Sequence, residues 1–175
     1  MAEVIQGAEF LSFFRLRKEH ETTDGAKNRF ETESTLSKEK ESESTITKDG
    51  PINSIMNGES SAEFTSLAYR DDEETIEIWK RLEEWFDKNE LVEFWNVDIS
   101  TMTEGREIEA VYHQGYFTSF ELSMPADGPA ELSYTYAING IGIRGKDTLT
   151  EAQLKAVEAG VYDYQKITAT GKESV

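Results

Sequence analysis

Period-two alternation of apolar and polar residues recurs through most of this chain, and one clear helix interrupts it. Ala62, Phe64, Ser66 and Ala68 alternate with Glu63, Thr65, Leu67 and Tyr69, which predicts a strand over 62–69. Leu132, Tyr134, Tyr136 and Ile138 predict another over 130–138. Residues 10–17, 29–37, 91–99 and 107–124 also read as strands, the last bent at Gly115. Between them, 20–27 reads as a loop, 100–105 as a turn, and Pro125-Ala126-Asp127-Gly128-Pro129 as a strong reversal. Near the end, Thr150 caps a short helix over 151–158, and 162–167 is short and extended. Strands, then a helix, then strands is not the βαβα order of a parallel sheet. The expectation is a mainly β fold with one flanking α-helix, built as an antiparallel β-sandwich or partly closed barrel.

The helix opens at Asp71-Asp72-Glu73-Glu74, whose carboxylates suit a helix N-terminus. Its packing face is Ile76, Trp79, Leu82 and Phe86 at spacings of three and four, widened by Ile78 and Trp85. Lys88-Asn89 closes it.

Residues 38–63 are the least ordinary stretch. Lys-Glu-Lys-Glu-Ser-Glu-Ser-Thr is followed by Asp49-Gly50 and Asn57-Gly58, both of which favour tight turns. Ile46, Ile52, Ile55 and Met56 are the large apolar residues there. Long polar ribbons with a few apolar tips bury little of themselves, and two strands alone are marginal in water. Such ribbons are either mobile or covered by a partner.

Composition narrows the function. The 175 residues are enough for one domain with a real core. Nine Phe, seven Tyr and three Trp argue against disorder. The net charge of −17 makes tight phosphate-backbone binding a poor fit. Without cysteine there is no disulfide, thiolate metal site or Cys nucleophile. No run approaches the roughly 20 apolar residues of a membrane span, and no signal peptide shows, so a soluble intracellular chain is expected.

Four motifs carry less than their patterns suggest. Gly140-Ile141-Gly142-Ile143-Arg144-Gly145 matches a dinucleotide fingerprint, but no convincing helix follows; it reads as a glycine-rich strand exit. His20 and His113 read as surface or edge residues with no triad around them. The Asp71–Glu74 run lacks the spaced ligands of a calcium loop. Trp79, Trp85 and Trp95 read as core packing.

Several segments, taken in order, carry a resemblance. They are Phe13-Phe14-Arg15-Leu16, Thr45-Ile46-Thr47-Lys48-Asp49-Gly50, and the acidic helix running into Leu91-Val92-Glu93-Phe94-Trp95-Asn96-Val97-Asp98. Then come Tyr112-His113-Gln114-Gly115-Tyr116-Phe117-Thr118-Ser119-Phe120, Ile138-Asn139-Gly140 and Asp147-Thr148-Leu149-Thr150. The ensemble resembles the major tail proteins, or tail tube proteins, of long non-contractile-tailed phages (siphophages) of Gram-positive bacteria.

The resemblance implies a structural virion protein without catalysis, cofactor or metal. One domain spans 1–175, with an arm at about 38–60 and flexible termini. Six subunits form a ring, their sheets join into an inner β-barrel, and rings stack into a tube that passes DNA without specific binding. It also implies a tape measure protein and a tail terminator as partners, in the virion tail and, during assembly, the host cytoplasm. Contacts between subunits fall to the arm residues Ile46, Thr47, Lys48, Asp49, Gly50, Pro51, Ile52, Ile55 and Met56. The competing reading is a small β-barrel that binds an apolar ligand among its aromatics.

Overall fold

The computed structural model describes residues 2–69, 78–158 and 166–168. Seven strands form one antiparallel sheet: β1 (Phe10–Leu16), β2 (Ala26–Lys27), β3 (Glu31–Thr47), β4 (Gly50–Leu67), β5 (Val92–Asp98), β6 (Glu107–Ser123) and β7 (Glu131–Thr148). Their spatial order is β2-β1-β5-β6-β7-β4-β3. Helix α1 (Ile78–Asp87) precedes β5, and α2 (Glu151–Glu158) follows β7. The mainly β, antiparallel expectation holds, with a second short helix beside the flanking one.

The sheet curls around its aromatic face. Phe14 on β1 and Phe64 on β4 meet edge to face at 5.2 Å, although three strands lie between them in the sheet. In a flat sheet four spacings of about 4.8 Å would hold them roughly 19 Å apart. Phe94 stacks on Phe14 from its paired position on β5, and Tyr134 stacks on Phe64 from β7. Tyr136, Phe117 and Leu132 complete this core. The Tyr136 hydroxyl donates to the Val92 carbonyl at 2.7 Å, so a polar atom in the apolar interior is satisfied.

Helix α1 closes one side of that core. Leu82 and Trp85 are its buried members, Trp79 and Phe86 pack partly, and Phe86 meets Phe120 of β6. The Trp79 indole N–H donates to the Tyr69 carbonyl at 2.9 Å. Asn89 at φ 54 ends the helix, with Glu90 N–H bonded to Trp85 O and Asn89 N–H to Phe86 O, the paired bonds of a Schellman cap. Ile76 and the Asp71–Glu74 opening lie outside the described residues, as does most of 162–167.

A second cluster covers the back of β1, β5 and β6. Phe13, Val97, Ile108 and Leu149 are buried there, with Trp95 and Val157 of α2 against them. Thr150 caps α2 reciprocally: its hydroxyl accepts from Gln153 N–H, and Gln153 Oε1 accepts from Thr150 N–H.

Three sequence readings need correction. His113 is buried, 2% exposed, rather than at a surface or edge. It stacks on Phe94 at 5.0 Å because strand alternation puts it on the aromatic face with Gly115 and Phe117. The glycine-rich segment is no strand exit either; β7 runs on to Thr148. Between the pairs Tyr112–Ile143 and Gln114–Asn139, β7 carries two extra residues, and Gly140 at φ 68 makes that bulge possible. Asn57-Gly58 forms no turn: Asn57 pairs with Lys40 inside β4, and Gly58 with Glu59 makes a bulge opposite Glu39.

Candidate functional site

Strands β3 and β4 leave the body as a two-stranded arm. β4 pairs with β7 only from Ser60 to Leu67, while its pairing with β3 continues to Thr47–Gly50. At about 3.3 Å per residue, residues 38–47 project roughly 30 Å. The tip is a two-residue turn of Lys48 and Asp49. Thr47 Oγ1 donates to Gly50 O at 2.7 Å and accepts from Asp49 N–H, and Gly50 adopts φ 121. Asp49-Gly50 therefore belongs to the reversal that the sequence placed there.

The arm keeps its apolar side chains in water. Ile46 is 87% exposed, and Ile52, Ile55 and Met56 are also exposed, as is Pro51. The sequence-selected arm residues thus lie together on the distal arm, and none enters either core cluster.

Backbone edges are also uncovered. β3 ends the sheet on one side and β2 on the other. Where the arm departs, residues 139–148 of β7 pair only with β6, and residues 50–59 of β4 only with β3. Ile141 and Ile143 sit exposed on that stretch of β7. Unpaired edges are templates for another strand.

Two largely buried polar clusters tie strands together behind these surfaces, and sequence patterning shows no sign of either. In the first, Glu31 accepts from Ser12 Oγ at 3.1 Å and from Asn28 Nδ2 at 2.7 Å, and Asn28 also reaches the Tyr134 hydroxyl. These bonds tie β3 at one end of the sheet to β1 near the other. Burial raises the Glu31 carboxyl pKa, opposed by those hydrogen bonds. Nearby, burial and then Arg29 lower that of Lys27, whose ammonium donates to Ala156 O of α2. In the second, Glu93 is paired with Arg15 at 2.8 Å and Arg17 at 3.4 Å and accepts from the Tyr112 hydroxyl. Among the described residues no group of three or more His, Cys, Asp or Glu side chains is placed to hold a metal ion.

A curled β-sheet that exposes pairing edges, apolar tips and a long arm, around a filled aromatic interior, defines a β subunit with surfaces suited to other strands. Residues 4–141 match the family model described as phage tail tube protein, and the chain belongs to that family. A protein of Staphylococcus phage phiMR25 described as a tail protein is 32% identical over 155 residues, covering 87% of this chain and 78% of that one. Among solved structures, the SPP1 tail tube matches with a TM-score of 0.69 at 19% identity, over 98% of this chain and 96% of that one. The tail of an empty gene transfer agent particle, refined with C6 symmetry, matches at 0.58 and 14% identity, over 80% and 98%. The chain is a structural tail tube protein, a component of the virion tail.

Proposed function

We propose that copies of this chain close into six-membered rings, that the rings stack into a tube, and that genomic DNA passes through its lumen. The match of residues 4–141 to the tail tube family carries this reading. The C6 symmetry of the gene transfer agent tail, whose subunit shares the fold, supports the ring order. Each curled sheet acts as a partly closed sandwich or barrel, and neighbours' strands complete it along the free edges of β3 and β7. The distal arm, from Ile46 to Met56, bridges subunits. The α1 face (Trp79, Leu82 and Phe86) serves the subunit's own core. A net charge of −17 suits a wall that DNA phosphates slide past. The subunit is one domain over 1–175 and has no catalytic role. It assembles in the host cytoplasm and meets a tape measure protein and a terminator at the tube's interior and end. A core filled by Phe14, Phe64, Phe94, Tyr134 and Tyr136 gives the apolar-ligand barrel no support.

Negative-stain electron microscopy of the purified protein over a concentration series tests this. Rings or tubes of uniform width are expected; a monodisperse monomer at every concentration would reject it.

A further inference from the structure

The arm sorts its charges by face. β3 stays regular through Lys38-Glu39-Lys40-Glu41, because the extra residue of the bulge lies on β4: Lys38 pairs with Ser60 and Lys40 with Asn57. Even positions therefore continue the face of Ser34 and Leu36, whose partners Phe64 and Ala62 are buried in the core. From 34 to 46 no even position is acidic, and from 33 to 47 no odd position is basic.

One face of the arm thus carries Lys38, Lys40 and Ile46, with Ile55 opposite Ser42, and the Lys40 ammonium bonds Asn57 across the ribbon. The other carries Glu39, Glu41 and Glu43, with Met56 opposite Glu41 and Ile52 opposite Thr45. All of these side chains are exposed. Each face offers two large apolar side chains, so charge decides: a surface that docks on a molecule of net charge −17 gains from ammonium groups and loses by covering three carboxylates.

We propose that the arm docks on a second copy of this chain through its Lys38, Lys40, Ile46 and Ile55 face and leaves the Glu39, Glu41 and Glu43 face in water. The inference rests on the reading of the arm as a bridge between subunits and adds which side of it is covered. The residues that set it are the lysines and Ile55, on the same side as the body's core.

The decisive variant exchanges neighbours: Lys38→Glu, Glu39→Lys, Lys40→Glu and Glu41→Lys together. Composition and net charge stay as they were, and only the polarity of the faces inverts. Two single variants, Ile55→Ser and Met56→Ser, test the apolar part at adjacent positions. Circular dichroism checks folding, and pelleting with electron microscopy reads the concentration at which polymer forms. The exchange and Ile55→Ser are expected to raise that threshold at least about tenfold (roughly 1.4 kcal/mol), and Met56→Ser to leave it within about twofold. Polymerisation of the exchange variant at the wild-type threshold would overturn the face assignment, as would a Met56→Ser defect equal to that of Ile55→Ser. If the wild-type chain forms no polymer at all, the tube reading fails first and takes this inference with it.

Discussion

Gly115 of β6 lies so close to Ala137 of β7 that a Cβ at Gly115 would sit 1.9 Å from the Ala137 carbonyl oxygen and 2.9 Å from its carbon. The clash is with backbone, so no side chain can swing away to relieve it. β6 and β7 would have to part beside the buried Phe117 and Tyr136. Gly115→Ala is expected to destabilise the fold by about 3 kcal/mol, the upper range for overpacking. Gly145, in β7, has nothing within 4 Å of the same position. Gly145→Ala should therefore stay within about 0.5 kcal/mol of the wild type. Urea unfolding of the unassembled protein distinguishes the two, and equal midpoints would contradict the packing at Gly115.

That close approach also marks where sequence legibility ends. Alternation over 62–69 and 130–138 placed Phe64 and Tyr134 on one face, because a half-buried strand writes its faces into its period. The Thr150 cap and the Leu82 stripe were equally local and equally legible. Register was not. Whether β7 stops after Ile138 or runs to Thr148 depends on β6, many residues away, and on a bulge that makes room for His113. The same holds for Asn57-Gly58, whose turn chemistry lost to pairing with β3. The arm's exposed tips could be read from Ile46 to Met56. Its sorted faces could not, because alternation segregates charge only once the ribbon is known to be a strand.

Two buried groups give stability opposite dependences on pH. Burial holds the His113 imidazole below its ordinary pKa of 6.5. The unfolded chain binds that proton more readily, so the stability from His113 is complete above about pH 6.5 and is lost as pH falls toward the folded value. Burial raises the Glu31 carboxyl above its ordinary 4.5, so the folded chain holds that proton more tightly. Its contribution is complete below about pH 4.5 and is lost as pH rises through the folded value. Glu31→Gln removes only the second slope. Its urea midpoint, relative to wild type, should climb as pH is raised from about 4 to about 7. A difference that stays flat across that range rejects the buried carboxyl as the cause.

The Glu93 carboxylate, with only 1% of its side chain exposed, depends on Arg15, whose guanidinium donates to it at 2.8 Å and lies 4.9 Å over the Trp95 ring. Removing Arg15 leaves the buried carboxylate only the longer Arg17 contact at 3.4 Å and the Tyr112 hydroxyl, so Arg15→Ala should cost about 3 kcal/mol. Glu93→Gln keeps hydrogen-bonding capacity without the charge and should cost closer to about 1 kcal/mol. Guanidinium unfolding of both variants gives the comparison, and a larger loss in Glu93→Gln would reverse the assignment.

Deleting residues 38–57 separates folding from assembly. Every side chain removed is exposed or half-buried, and none belongs to either core cluster. The cut joins Ser37 to Gly58. Ser37 keeps its partner Ser61, leaving Gly58, Glu59 and Ser60 to make the new reversal. Three residues with a glycine suit such a hairpin. The pairing of β4 with β7 begins at Ser60 and is retained. The deleted chain should keep its circular dichroism spectrum and a melting temperature within about 5 °C of the parent, a shift on the order of 1 kcal/mol. It should sediment as a monomer at concentrations where the parent forms tubes. Normal tubes from the deleted chain would remove the arm from the assembly and shift the joints to the free sheet edges of β2, β3 and β7.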